Sequence, residues 1–383
     1  MYFDNKNNAE CCGCTACKSV CPKATISMKK DERGFLYPVI NEDSCIDCSL
    51  CRKVCRFHRS EPWGNSVIAA YGMHHKNIIV KRTSRSGGAF YMFAEEILAL
   101  GGSVYGAAFD SYLEVVHTKV VKLSELHKLQ GSKYVQSKLG SSYAAVFNDL
   151  KKEEYVLFSG TACQVAGLLS FLEKKSCNTS KLITCDIVCQ GVSSPELYSD
   201  YRKYLENKYG SKLKKFNFRD ASRIGWEGHE ESFQFVGNKK IYYSREYTNY
   251  YYYYLRPSCF ECKYAGLHRP ADFSLADFWG VKENYPDFAD KNGNSLILVN
   301  TEKGKQFFEV AKKTGDTIEV VIYKCLQPRL KSPSAKPEGY ESFWNEYKMN
   351  GYHFCIKKYG KESMKSKLVY TIKPIIRKFI KRI

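Results

Sequence analysis

Cys11, Cys14, Cys17 and Cys21 follow the spacing C-x2-C-x2-C-x3-C with Pro22 behind them, and Cys45, Cys48, Cys51 and Cys55 repeat it 34 residues later. A cubane iron–sulfur cluster needs four thiolates at the corners of a tetrahedron. A tight loop with two-residue gaps supplies three of them, and in two-cluster modules the fourth comes from the other run. The spacing therefore predicts one cluster on Cys11, Cys14, Cys17 and Cys55, and a second on Cys45, Cys48, Cys51 and Cys21. It places a bacterial-type two-cluster 4Fe-4S ferredoxin fold over residues 1–60. Zinc ribbons use C-x2-C pairs, but not two complete runs of this kind. Cys12 is left over and reads as a structural thiol. Arg56 stands where the second run would carry Pro, which changes the turn after Cys55 more than the ligation. Gly34–Ile40 (GFLYPVI) fits a short strand between the two half-modules.

The 383 residues are too many for one small domain, and 44% are hydrophobic, enough for a sizeable core. No run of 18 apolar residues occurs, and the opening MYFDNKNNAE lacks the apolar stretch of a signal peptide. The expected compartment is the cytoplasm. There, 17 cysteines, nine of them within residues 11–55, read as metal ligands rather than disulfides. The formal charge is +19, and two loaded clusters would bring it to about +15. That field attracts a ferredoxin-like electron carrier, a partner enzyme, an anionic cofactor or an anionic membrane. Nucleic acid is the disfavoured partner, because no nucleic-acid motif accompanies the charge. A homo-oligomer is compatible with everything above.

After a linker at 61–66, strands and helices alternate: strands at Val67–Tyr71, Ser103–Phe109, Tyr155–Phe158 and Leu182–Val188, and helices within Ser84–Leu100 and Cys163–Leu172. Ser193-Ser194-Pro195-Glu196 starts a further helix with Pro at its first position. Residues 213–300 look richer in strand. The turns Ser84–Gly88 and Ser159–Thr161 join strand to helix and either bind phosphate on backbone N–H groups or serve only as connections. Tyr250–Tyr254 reads as an alternating strand, either a half-buried edge or an aromatic wall. Asp272 and Asp277 are candidates for proton transfer or for capping turns. Residues 346–383 form a basic tail. Its apolar positions Leu368, Ile372, Ile376 and Phe379 recur at helical spacing, suited to packing on the protein's own core or to lying at the inner face of a membrane.

SRSGGAF (84–90), GSVYGAAF (102–109), QGSKYVQS (130–137), VLFSGTACQVAGL (156–168), CDIVCQGVSSPELY (185–198) and RPADFSLADFWG (269–280) occur in that order. Together they resemble the beta-subunit family of coenzyme F-420 hydrogenase/dehydrogenase over roughly residues 10–345. Ala162 replaces a Pro common in the family, and ADFWG stands for GDFWG. The resemblance implies an α+β chain in which residues 61–345 form a mixed α/β flavin-binding domain. It implies FAD near Ser86, Gly87, Gly88, Ser132, Lys133, Tyr134 and Ser137, with Ser159, Gly160 and Thr161 as a further phosphate turn. Lys133 would lie beside the flavin or substrate as the catalytic candidate. The resemblance also implies a third cluster in some relatives. Its candidate ligands here are Cys163, Cys189, Cys259 and Cys262, which otherwise read as two buried thiols and a C-x2-C hairpin. Cys163 as a redox nucleophile is a lesser alternative. The implied function is an oxidoreductase passing electrons between a one-electron carrier and a small-molecule substrate that gives or takes hydride. The rival is an electron-transfer subunit feeding a partner enzyme.

Overall fold

The computed structural model describes residues 1–58 and 64–359 together with Ile372. In the N-terminal part, helix α1 (Ala16–Val20) is followed by an antiparallel hairpin, β1 (Ile26–Lys30) and β2 (Leu36–Ile40), and then by helix α2 (Leu50–Lys53). The two cysteine loops share one backbone shape. Gly13 and Thr15 take left-handed φ of 69° and 61°, and Asp47 and Ser49, each 34 residues on, take 49° and 58°. Left-handed non-glycine residues are uncommon, and two at matched positions show that both loops wrap in the same sense.

The rest of the chain gives, in order, β3 (Ala69–His75), α3 (Ile78–Ser84), α4 (Ala89–Ala99), β4 (Ser103–Phe109), β5 (Val115–Val120), α5 (Ser142–Lys151), β6 (Val156–Thr161), α6 (Ala162–Lys174), β7 (Leu182–Ile187) and α7 (Pro195–Tyr209). Then come β8 (Leu213–Asn217), β9 (Glu231–Phe235), β10 (Tyr242–Ser244), β11 (Phe273–Asp277), β12 (Ser295–Val299), α8 (Glu302–Ala311), β13 (Gly315–Glu319) and α9 (Tyr340–Tyr359). The large sheet has the order β13-β3-β12-β11-β7-β6-β4-β5. Its centre, β11-β7-β6-β4, is parallel, and the outer pairs are antiparallel. The apolar starts of β6 and β7 are buried on both faces, as central parallel strands require. Leu157 faces Phe93 and Ile97 of α4, whereas Val156 and Phe158 face Val165 and Leu168 of α6.

The N-terminal module is built into this body. Gly167 of α6 leaves room for Cys14: a Cβ there would lie 2.9 Å from the Cys14 Cβ and 2.8 Å from the Tyr143 hydroxyl. Ser170 Oγ donates to the Val54 carbonyl at 2.8 Å, and Arg56 pairs with Glu173. The absent Pro thus makes room for an ion pair to α6. On the other side Arg256, fully buried, donates from Nε to the Cys11 carbonyl at 2.7 Å and from its two Nη atoms to the Leu36 carbonyl at 3.1 Å and Gln136 Oε1 at 2.9 Å. Its guanidinium lies 4.0 Å from the centre of the Tyr37 ring. The Gln136 amide in turn donates to the Cys12 carbonyl at 3.0 Å.

Several expectations change. The strand expected at Val67–Tyr71 runs over Ala69–His75, and the helix expected after the Ser84–Gly88 turn runs over Ala89–Ala99, preceded by a further helix, α3, that ends at Ser84. Tyr250–Tyr254 lies in a 3-10 helix, Thr248–Tyr254, and not in a strand. Tyr247, Tyr250 and Tyr254 are buried at steps of three and four, so helical periodicity wins over alternation. α9 crosses the expected boundary at 345 and buries Tyr347, Tyr352, Cys355 and Ile356, bending at Gly351. The tail helix, save exposed Ile372, lies outside the described residues. Among the described residues no helix is long and apolar enough to cross a membrane.

Truncating Arg256 to Ala strands one buried and two half-buried acceptors, each at about 1–3 kcal/mol. We expect R256A to lower unfolding free energy by at least about 3 kcal/mol, with R256K in between, in anaerobic denaturation followed by circular dichroism. Equal midpoints for wild type and R256A would show that the module is held by other contacts.

Candidate metal centre

The N-terminal thiols fall into two groups. Cys17 is pushed up by burial and then by the nearby sulfurs of Cys14, Cys11 and Cys55, so these four share one locus. The Gly13 amide points at Cys11 and the Ala16 amide at Cys14, and in the second loop the Asp47 amide donates to Cys45 Sγ at 3.4 Å. Cys51 is pushed up by burial and also feels Cys45. Cys45 and Cys48 are exposed, whereas Cys11, Cys14, Cys17 and Cys55 are half-buried. Amides aimed at sulfur stabilise thiolates, the form that ligates iron. The donor set therefore suits two cubanes, one near the surface and one inside.

A third group forms at the carboxyl ends of the parallel strands, where open α/β sheets place their sites. Cys163 sits in the first turn of α6, directly after β6, and Cys189 follows β7 by two residues. Cys259 and Cys262 lie on the turn after Pro257. Burial pushes Cys189 up to about 12, and Cys163 and Cys262 add to it. Burial likewise pushes Cys262 up to about 11, with Cys163 beside it, and raises Cys259, which feels Cys189, Cys262 and Cys163. The four sulfurs thus lie within one another's electrostatic reach. Among the described residues no three His, Cys, Asp or Glu side chains close tightly enough to hold a single metal ion. A four-iron cluster spreads its thiolates over four separate irons.

Two features without a local signature in the sequence hold this group. Gly191, at φ 125°, leaves room for Cys259, since a Cβ there would lie 3.2 Å from the Cys259 Cβ, and its N–H donates to Cys189 Sγ at 3.3 Å. Arg269, fully buried, donates from Nη1 to the Tyr264 carbonyl at 2.6 Å, from Nη2 to the Ile187 carbonyl at 3.1 Å, and pairs with Asp186. It ties the Cys262 loop to the end of β7. Cys163 is held at about 7, below an ordinary thiol, chiefly by a hydrogen bond from Cys12 and further by Thr161, whose hydroxyl lies 3.1 Å from its sulfur.

A polar network adjoins Cys163. Thr161 and Gln164 form a reciprocal cap on α6, with the Thr161 N–H donating to Gln164 Oε1 at 3.0 Å. Gln164 Nε2 reaches Ser137 Oγ at 3.0 Å, Ser137 meets His117 Nδ1 at 2.8 Å, and His117 Nε2 meets the Ser159 carbonyl at 3.0 Å. Burial pushes His117 down to about 4, and the charge of Lys133 lowers it further. The protein therefore engages the Ser159 carbonyl and the Thr161 N–H and hydroxyl of the Ser159–Thr161 turn. Lys133 donates to the Gln130 carbonyl at 2.7 Å, and burial alone pushes it down to about 7. Ser132 and Arg219 both bond Tyr134, which packs edge-on to Tyr251 at 5.4 Å.

The other candidates border this ground, with Gln130 Nε2 donating to Ser84 Oγ at 2.9 Å. Gly87 is wedged in the sheet: a Cβ would lie 2.0 Å from the Met73 carbonyl, so packing alone demands glycine. Gly88, at φ 98°, precedes α4, and Ser86 Oγ donates to the Asn294 carbonyl at 3.1 Å. Asp277 pairs with Arg219, and Asp272 accepts from Thr184 and Thr301.

Residues 10–58 match the model of the 4Fe-4S dicluster domain, and residues 153–321 that of the C terminus of the coenzyme F420 hydrogenase/dehydrogenase beta subunit. Residues 153–321 thus resemble the C-terminal part of that beta subunit, behind a 4Fe-4S dicluster domain. The chain binds 4Fe-4S clusters, and its class is iron–sulfur oxidoreductase. No curated protein matches. A chain of the F420-reducing NiFe hydrogenase complex from Methanosarcina barkeri, solved as a xenon derivative, is similar at 14% identity with a TM-score of 0.45. The alignment covers 78% of this chain and 94% of that one.

A lysine lowered from 10.5 to about 7 on folding carries its full burial cost below pH ~7, where it is charged in both states. The cost fades as pH rises and is gone above pH ~10.5, where both states are neutral. We expect K133M to be more stable than wild type at pH 6–7, with the gap closing by pH ~10. A gap that is independent of pH would contradict the desolvated lysine.

Proposed function

We propose that this chain is an iron–sulfur flavoprotein that converts single electrons from a one-electron carrier into hydride exchange with a small-molecule substrate. The observation that carries the reading is the convergence of Cys163, Cys189, Cys259 and Cys262 at the sheet's carboxyl edge, one helix from Cys14. Clusters pass one electron at a time, and a bound flavin stores two and exchanges them as hydride.

The chain's own residues divide the work. Cys21, Cys45, Cys48 and Cys51 would hold the outer cluster, Cys11, Cys14, Cys17 and Cys55 the inner one, and Cys163, Cys189, Cys259 and Cys262 a core cluster. A cleft of about 540 Å³ lined by Lys23, Thr25, Lys29, Asn41 and Ser44 opens on the chain neighbours of Cys21 and Cys45. It suits docking of an electron carrier at the outer end.

FAD would lie beside Lys133 and Tyr134. Arg85, desolvated, lies in the field of Asp220 and Arg219, and Arg219 sits over Trp279 at 5.5 Å. These cations would meet a diphosphate, and Tyr134 and Trp279 offer faces to rings. Lys133, poised near neutrality, would hold or release a proton at Nζ beside the flavin. The turn of Ser159, Gly160 and Thr161 would orient Ser137 and His117 rather than bind phosphate. A second reading, an electron-transfer subunit with no substrate of its own, is favoured by Ile46, an apolar side chain 56% exposed between Cys45 and Cys48. It suits a face covered by a partner enzyme.

The test is anaerobic reconstitution with iron, sulfide and FAD. We expect about twelve irons and about one FAD per wild-type chain, and about eight irons with unchanged circular dichroism in C259S/C262S. Equal iron in the two folded proteins would remove the core cluster, and no retained flavin would favour the second reading.

A further inference from the structure

Cys12 ligates none of the three cluster sites, yet its thiol stands between two of them. It packs against the side chains of both Cys14 and Cys163. Cys14 belongs to the inner N-terminal group, and Cys163 belongs to the group at the sheet edge. The Cys12 side chain is buried with Phe57, Ala162, Ala166 and Tyr264, and Cys14, Cys55, Cys163 and Cys262 pack round it.

The surroundings fix it there. The Cys12 carbonyl is held by Gln136, and the preceding carbonyl by Arg256. A Cβ on Gly13 would lie 2.7 Å from Gln136 Nε2, so the loop cannot shift on that side. Across from it, α6 presents Ala162, Ala166 and Ser170, small residues at steps of four on one face. That stripe lets the first cysteine loop approach closely enough for one thiol to span the gap.

We propose that Cys12 is a positioning residue joining the inner and core cluster sites, its S–H donating to the ligand sulfurs of Cys14 and Cys163. A hydrogen bond to a ligand sulfur draws electron density from the cluster and favours its reduced form. Cys12 therefore raises the core site's reduction potential and supplies a short contact between the two sites. The inference rests on the core-cluster reading of Cys163, Cys189, Cys259 and Cys262.

The test uses the full chain, reconstituted anaerobically with iron and sulfide, as wild type, C12A and C12S. Iron per chain is measured, and each cluster signal is followed by electron paramagnetic resonance during a potentiometric titration. The core signal is the one absent from C259S/C262S. Ser keeps a donor, and a stronger one than a thiol, while Ala keeps none. The expected order of core potentials is C12A lowest, wild type between, C12S highest, at about twelve irons throughout. Three equal potentials at full iron would overturn the bridge. If C12A fails to load, C12S against wild type decides by the same sign. About eight irons in wild type, with no third signal, would remove the core reading and this proposal with it.

Discussion

A guanidinium with no exposed surface holds the molecule together. Arg256 is taken wholly out of water, a cost that only good partners offset. It finds them on three segments far apart in the chain: the Cys11 carbonyl, the Leu36 carbonyl and the Gln136 side chain, with the Tyr37 ring stacked on its plane. Arginine suits the place because its fork presents several fixed donors at once, which a lysine could not do. Through these bonds the first cysteine loop and the hairpin become part of the body. The next turn of chain after Arg256 carries Cys259, so the same residue registers the inner cysteines against those at the sheet edge.

The sheet does the remaining placement. β6 and β7 are parallel neighbours, and both end at the same edge. Residues just past their ends, Cys163 and Cys189, therefore meet without any local signal that they should. Arg269 repeats the device used by Arg256, reaching from β7's end to the Cys262 loop. Two buried arginines flank the core thiols, and both act on their charge: Arg256 lowers Cys163, and Arg269 lowers Cys189 and Cys262. Positive charge on either side is what a set of buried thiolates requires.

What could be read in the sequence was local. The cysteine spacing, the Ser194-Pro195 helix start and the apolar strands expected at 103–109 and 182–188 each carry their geometry within a few residues; the helix and the first strand stand where their patterns put them, and the second strand ends one residue early, at Ile187. The tyrosine run misled because five identical residues hide their period. Tyr247, Tyr250 and Tyr254 stand at steps of three and four, and that spacing was the available signal. Gly87 shows that glycine serves close approach of any kind, here to the sheet's own backbone. Arg256, Arg269, Gln136 and His117 could not be found from the chain alone: all their partners but Tyr264 and Ser274 are at least 20 residues away. The boundary expected at 345 falls inside α9, which is polar enough to read as tail until the aromatic core that receives Tyr347 and Tyr352 is seen.

On the proposed reading, three cluster sites lie in a row from the exposed Cys45 and Cys48 to the sheet edge. Spin quantitation of the fully reduced, reconstituted chain by electron paramagnetic resonance bears on that row without intermediate steps. We expect about three spins per chain, with spectra broadened by coupling between neighbouring clusters. About two spins per chain, with no signal lost on replacing Cys259 and Cys262, would contradict it.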